Sequence, residues 1–303
     1  VPVFLIVALG YILKKLGMIN ENFVTVSSKI VFNISLPALI FFEIAAIDLA
    51  EVLNIGQISF IYIGTLISFG IAWIIAQSVT KTGQDKASFI QGSFRGNFAI
   101  VGLAIIVNYY GPENLGKASL VLAFTIPLYN ILSVIALTIP LRKEKQLNYK
   151  NTLFEIARNP LIIAVLAALP FSYLSIGIPE VIYTTGRYLS ALSLPLALIG
   201  IGGFLSFRDI TKSSSLTIVS TFLKLIVLPA LATIAAYLLG FKGMDLGIIF
   251  ILFACPTAIA SFIMAEAMGA NSRLAANILL LTTLASVVTM TLGLFILKEN
   301  GLI

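Results

Sequence analysis

Ser93-Phe94-Arg95-Gly96-Asn97-Phe98-Ala99-Ile100-Val101-Gly102 sets an arginine, an asparagine and two glycines inside a run that otherwise reads as membrane-spanning. A cation and an amide in hydrocarbon are costly unless they face protein, water or a ligand, so such a cluster marks a functional site by default. A second interruption, Ala254-Cys255-Pro256-Thr257-Ala258-Ile259-Ala260-Ser261, follows about 158 residues later. We read the two as halves of one site.

The surrounding composition supports a spanning assignment. Of 303 residues, 59% are hydrophobic and only 11% charged, against roughly 25% charged in soluble domains, and the mean hydropathy is +1.06. The chain reads as an all-α polytopic membrane protein. At about 20 residues per span it holds roughly ten helices and leaves no room for a soluble catalytic domain. The single Cys255 and the absence of histidine argue against a disulfide, a zinc site or a haem, so no metal and no cofactor is expected. The first apolar run carries Lys14 and Lys15 after it and lacks a small-x-small cleavage site, which makes it a spanning helix rather than a signal peptide. It begins at Val1 without methionine, leaving room for further residues of that helix ahead of it.

Apolar runs fall at about 2 to 17, 23 to 46, 55 to 79, 86 to 110, 114 to 141, 159 to 176, 179 to 206, 214 to 239, 244 to 269 and 271 to 298. Of the 19 basic residues, twelve lie in or beside loops of one parity: Lys14, Lys15, Lys81, Lys86, Arg142, Lys143, Lys145, Lys150, Arg158, Arg208, Lys212 and Arg273. Lys117, Lys242 and Lys298 lie on the other side. The positive-inside rule then makes the odd loops cytoplasmic and puts both termini outside a cell membrane. The net charge of +6 is thus a topology signal, and nucleic acid is not an expected partner. Asp48, Glu51, Glu113 and Glu180 fall on the outer side. Residues 142–158 read as a cytoplasmic loop with a short interfacial helix, separating a first half at 1–141 from a second at 159–303.

The halves repeat. Ser35-Leu36-Pro37 recurs as Ser193-Leu194-Pro195, and the same offset of 158 carries Gly111 to Gly269 and Asn97–Ala99 onto Cys255–Thr257. Five spans per copy is an odd number, so the copies insert with opposite orientation, the inverted-repeat plan of many secondary carriers. The interruptions in the fourth and ninth spans then face each other near the midplane, with half-helix ends directed at a solute.

Each candidate residue has a functional and a structural reading. The Asn97 amide either binds a carboxylate or an ion, or ties helices together. Arg95 either faces a cytoplasmic vestibule and attracts anions, or snorkels to the inner interface. Pro256 removes a backbone donor, and Thr257 and Ser261, four apart, offer hydroxyls on one face beside the break; all three are also ordinary kinking and packing residues. Glu266 and Glu43 are the carboxylates most nearly within spans, and either exchanges a proton that couples transport or is exposed at an interface. Lys224 and Arg187 are also embedded, and Lys224 pairs with a carboxylate or a substrate, or snorkels. Tyr129 and Asn130, after Pro127, either line the cavity of Asn97 or are buried with satisfied hydrogen bonds. Pro37 and Pro195 read mainly as bends, and Asn33-Ile34-Ser35, a glycosylation pattern inside a span, is set aside.

Taken together, Arg95-Gly96-Asn97 through Gly102-Leu103, Gly111, Ser35 to Ile40, Cys255-Pro256-Thr257-Ala258, Ala265 to Gly269 and Leu274-Ala275 resemble the auxin efflux carrier family, which includes plant auxin carriers and bacterial malonate and malate permeases. The similarity covers essentially the whole chain. It implies ten helices in two inverted five-helix repeats, with broken helices four and nine crossing at the substrate site. It also implies a scaffold at about 2–46 and 159–206 and a mobile bundle at about 55–141 and 214–298 that moves as an elevator. The family's crossover asparagine falls on Asn97, its helix-nine proline on Pro256, and a helix-five tyrosine on Tyr129. Many relatives have proline where this chain has Ala104, so the fourth-helix break is expected to rest on Gly96 and Gly102. The fold also resembles that of bile-acid sodium symporters, but their carboxylate and glutamine cluster for two sodium ions is not evident.

The expected function is secondary transport of a small organic anion, a mono- or dicarboxylate, with the lipid bilayer and, through the scaffold, a second copy of the chain as partners. A membrane receptor for a lipid or metabolite that shares the pocket without translocating its ligand is the alternative. An intramembrane enzyme finds little support, since the chain has no histidine and no paired aspartates in its spans.

Overall fold

The computed structural model of the chain describes residues 2–46, 55–111, 114–142, 158, 160–204 and 215–303. Residues 143–157, Asp48, Glu51, Glu113, Arg208 and Lys212 therefore lie outside the described residues, as does the side chain of Glu43.

The helices, in order, are α1 (Pro2–Lys15), α2 (Glu21–Ile30, a π-turn at Val31–Ser35, then Leu36–Ala45), α3 (Ile55–Val79) and α4 (Gly83–Phe94). There follow α5 (a π-turn at Phe98–Gly102, then Leu103–Tyr110), α6 (Leu115–Leu141), α7 (Pro160–Tyr173), α8 (Glu180–Ala191) and α9 (Ser193–Phe204). The last are α10 (Ser215–Phe222, a π-turn at Leu223–Val227, then Leu228–Leu238), α11 (Gly243–Ala254), α12 (Ile259–Met268) and α13 (Ser272–Glu299). Among the described residues, five stretches are long and apolar enough to cross a membrane: Glu21–Phe42, Ile55–Val79, Phe124–Leu141, Ser215–Leu238 and Ser272–Glu299. The shorter apolar helices include Pro160–Tyr173, Gly243–Ala254 and Ile259–Met268.

Local chemistry sets the boundaries near the two interruptions. Thr82 caps α4, its side chain accepting the Asp85 N–H at 3.1 Å, and Asn271 caps α13 by accepting the Leu274 N–H at 2.9 Å. Each cap satisfies one of the orphaned donors of a first turn. Gly269 ends α12 with a left-handed φ of 78°, and Gly111, its partner at the offset of 158, ends α5 with φ of 90°. The sequence match at these glycines is therefore a shared need for a conformation that side chains resist. Helix lengths match at nearly the same offset: α1 and α7 have 14 residues each, starting at 2 and 160, and α4 and α11 have 12 each, starting at 83 and 243.

The helices pack in two groups. The first half of α2 and α1 lie on α9, and the second half of α2 lies on α7 and α8. Elsewhere α3 packs on α4, α4 on α6 and α13, α10 on α11 and α13, and α12 on α13. The groups meet where α12 touches α2 and α9 and where α6 touches α7. A core of Phe262, Ile263, Met264, Leu161, Ile40 and Leu198, among others, fills that seam. At its edge Thr25 of α2 donates to Glu266 of α12 at 2.8 Å.

Candidate functional site

The two interruptions meet. Pro256 disfavours helical backbone at the residue before it, and Cys255 is accordingly extended, with φ −53° and ψ 140°, which ends α11 at Ala254. Arg95 is likewise extended, with φ −80° and ψ 114°, after α4 ends at Phe94. The two extended segments pair antiparallel, Gly96 opposite Thr257. The Asn97 N–H donates to the Pro256 carbonyl at 2.8 Å, and the Ala258 N–H to the Arg95 carbonyl at 3.2 Å. This short bridge answers the demand that backbone freed by a break at membrane depth find partners inside the protein.

Thr257 completes the joint. Its hydroxyl donates to the Gly92 carbonyl at 2.7 Å, an acceptor in the last turn of α4 that helix geometry leaves open, and its N–H donates to the Thr282 hydroxyl at 3.1 Å. Thr257→Val removes that donor while keeping the shape, leaving a buried carbonyl unpaired at a cost of about 1–3 kcal/mol. A lower melting temperature of the purified protein is the expected result, and an unchanged one would show the bond to be dispensable.

Gly96 permits the close approach. A Cβ there would sit 3.1 Å from the Leu252 carbonyl oxygen, 3.2 Å from Lys224 Nζ and 3.4 Å from Cys255 Cβ. Gly102 is not part of the break, contrary to the expectation from sequence. It lies inside the π-turn, where a Cβ would meet the Phe98 ring at 2.3 Å. The chain is interrupted at residues 95–97 alone, because pairing with the second break, rather than a second glycine, satisfies the freed backbone.

A cavity of about 480 Å³ opens on this joint. Phe98, Ala99, Ala258, Ile259 and Ala260, the first residues of α5 and α12 or their cap, line it. The positive ends of two helix dipoles thus face one space. Its walls are otherwise mainly apolar, with Leu36, Leu39 and Ile40 of α2 and Leu122 and Ile126 of α6 among them.

Arg95 is the buried charge in the wall of this space; Arg187, which also lines it, is exposed. Arg95 is 7% exposed, and its guanidinium is held by neutral groups only: Nη2 donates to Asn130 Oδ1 at 2.8 Å, and Nη1 to Ser133 Oγ and to Met264 Sδ at 3.0 Å each. It does not snorkel to an interface. Of its five N–H groups, Nε–H and one Nη2–H have no acceptor among the described residues, and no carboxylate among them pairs with it. Asn130 and Ser133 are three apart on α6 and so share a face. That spacing was the available signal for Ser133, which sequence reasoning missed.

The other candidates divide into two places. Asn97 lines the cavity at 9% exposure, and its side-chain amide makes no hydrogen bond to a described residue. Tyr129 and Asn130 also line it. Tyr129 meets the Phe94 ring edge-on at 5.9 Å, and Asn130 keeps a buried Nδ2 with no acceptor. Arg187 and Pro195 lie in the wall, with Ser190 and Ser193. Pro256, Thr257 and Ser261 are in or beside the joint and do not line the cavity. Lys224 is also outside the wall, with its ammonium on the Phe94 and Phe253 carbonyls. Glu266 accepts from Thr25 and Ser272 at the end of α12. Among the described residues, no cluster of acidic residues and cysteine could hold a metal ion.

A family model described as membrane transport protein matches residues 1–294. An uncharacterized transporter of Methanothermobacter thermautotrophicus is 25% identical over 293 residues, covering 96% of this chain and 94% of that protein. An uncharacterized transporter of Methanocaldococcus jannaschii is 23% identical over 306 residues, covering 97% and 96%. A probable auxin efflux carrier component of Oryza sativa subsp. japonica is 25% identical over 138 residues, 44% of this chain and 38% of that protein. The chain belongs to this family of membrane transport proteins, the auxin efflux carrier family.

Proposed function

We propose, from that membership, that the chain is a secondary carrier of a small organic anion, a mono- or dicarboxylate, which binds at the joint of the two interruptions. One observation carries the reading. Arg95 is a buried guanidinium in the wall of a cavity, with neutral partners and, among the described residues, N–H groups without an acceptor. A buried charge without a counter-charge is expensive, and an anion that enters the cavity removes the expense. Asn97, Asn130 Nδ2 and the first N–H groups of α5 and α12 supply further donors around it.

For translocation we infer ten spans, counting α4 with α5, α8 with α9, and α11 with α12 as one each. The matched helix lengths and the paired left-handed glycines support two inverted five-helix repeats. In this reading α1, α2 and α7–α9 are the scaffold, and the remaining helices move past them as an elevator. The division of helix packing into two groups, with the cavity between them, supports it. The termini lie outside the plasma membrane by the distribution of basic residues.

The test is a thermal-shift screen of mono- and dicarboxylates on detergent-purified protein, at two pH values and with or without sodium. At least one anion is expected to raise the melting temperature saturably; no response from any organic acid would defeat the reading. Asn97→Ala removes one neutral hydrogen bond, worth about 0.5–1.5 kcal/mol, so affinity for that anion is expected to fall roughly 2- to 13-fold. Transport by Asn97→Ala at the wild-type rate and affinity would remove this residue from the site.

A further inference from the structure

Lys224 is 1% exposed and belongs to the π-turn Leu223–Val227 of α10. Its ammonium donates to the Phe94 carbonyl at 3.3 Å and to the Phe253 carbonyl at 3.2 Å. These are the last residue of α4 and the next to last of α11, so one cation serves the C-terminal ends of both interrupted helices. Each such end carries about half a negative charge and up to four carbonyls without intrahelical partners. Two brought together repel, and their sum is about one negative charge, which one ammonium offsets. Among the described residues, no carboxylate pairs with Lys224.

In carriers with interrupted helices, half-helix C-terminal ends and unwound carbonyls are where a coupling Na+ is held. We propose that the Lys224 ammonium is a resident cation in that place, so that the joint is held together, and the anion carried, without a metal cation. The anion half of this statement rests on the function proposed above; the cation half does not. The two poles of the joint then have separate duties. The carbonyl ends of α4 and α11 are neutralised permanently by Lys224, and the N-terminal ends of α5 and α12 stay open to an exchangeable anion. Lys224 Nζ lies 3.2 Å from where a Cβ at Gly96 would sit, which places the ammonium beside the bridge itself. Lys224 is thus a positioning residue that does not touch the anion.

The experiment is a melting series on detergent-purified wild type, Lys224→Ala, Lys224→Met and Lys224→Arg in choline, sodium and methylammonium chloride at equal ionic strength. The wild type is expected to melt at one temperature in all three salts. Lys224→Met, which keeps the volume without the charge, is expected to melt about 5 °C lower in each. Lys224→Ala is expected to fall as far in choline and to recover saturably in sodium or methylammonium, because the shortened side chain leaves room for the ion. Lys224→Arg should melt above Lys224→Met. A wild type stabilised saturably by sodium, a Lys224→Met that melts with the wild type, or a Lys224→Ala that neither cation restores would each overturn the proposal. Should Lys224→Ala not fold, the order decides: Arg above Met supports the resident cation, and Met at or above Arg refutes it. No organic anion enters this readout and chloride is common to all three salts, so a failure to find a transported anion would leave it standing.

Discussion

Arg95→Gln is expected to weaken binding of the carried anion by about 10²–10³-fold. The glutamine stays polar but removes the buried positive charge that Asn130 and Ser133 hold in the cavity wall. Truncating one partner of a buried charge pair costs about 3–5 kcal/mol, and each 1.4 kcal/mol is tenfold in affinity. Arg95→Lys should fall between the two, because an ammonium keeps the charge but cannot reproduce the planar fork that reaches Asn130, Ser133 and the cavity together. Isothermal titration with the anion found in the thermal-shift screen measures both. Equal affinities for wild type and Arg95→Gln would remove the electrostatic basis of the site.

Gly96→Val is expected to disable the joint. Its Cβ would meet the Leu252 carbonyl oxygen at 3.1 Å, Lys224 Nζ at 3.2 Å and Cys255 Cβ at 3.4 Å, and valine adds two methyl groups beyond it. The oxygen is backbone in α11, so it has less freedom to withdraw than a flexible side chain. Overpacking of this kind costs about 1–3 kcal/mol or more, a fall of about 5 °C in a chain of this size, and transport should be lost with it. Gly70→Ala in α3 is the control, since nothing lies within 4 Å of its added Cβ. It should melt at or slightly above the wild type, because alanine is the better helix former. A stable, active Gly96→Val would contradict the account of the bridge.

Both predictions depend on features of which only part was readable in the chain. The membrane class, the interruptions and the offset between them could be read because each is a departure from apolar periodicity: an Arg-Gly-Asn in one run, a Cys-Pro-Thr in the other. Pro256 carried its own geometry, since a proline dictates the backbone before it, and the extended Cys255 follows. Gly102 misled because a glycine announces permission, not use. It serves the Phe98 ring, and only a contact across the π-turn reveals that. The destination of the Thr257 hydroxyl, 165 residues back at Gly92, is a tertiary fact with no local trace. Lys224 read as pairing with a carboxylate or a substrate, or as snorkelling, because side-chain charges are visible in a sequence and the charge of a helix end is not. The π-turns were equally hidden, and one of them carries Lys224.

The central claim is that an organic anion crosses the membrane by way of Arg95 and the joint of the two interruptions. Counterflow in liposomes tests it most directly: radiolabelled anion, chosen by the thermal-shift screen, is offered outside vesicles loaded with the same anion unlabelled. Wild-type vesicles are expected to accumulate label transiently and saturably, and Arg95→Gln vesicles, with equal protein incorporated, to match empty liposomes. No counterflow of a bound anion by the wild type, or full counterflow by Arg95→Gln, would contradict the account.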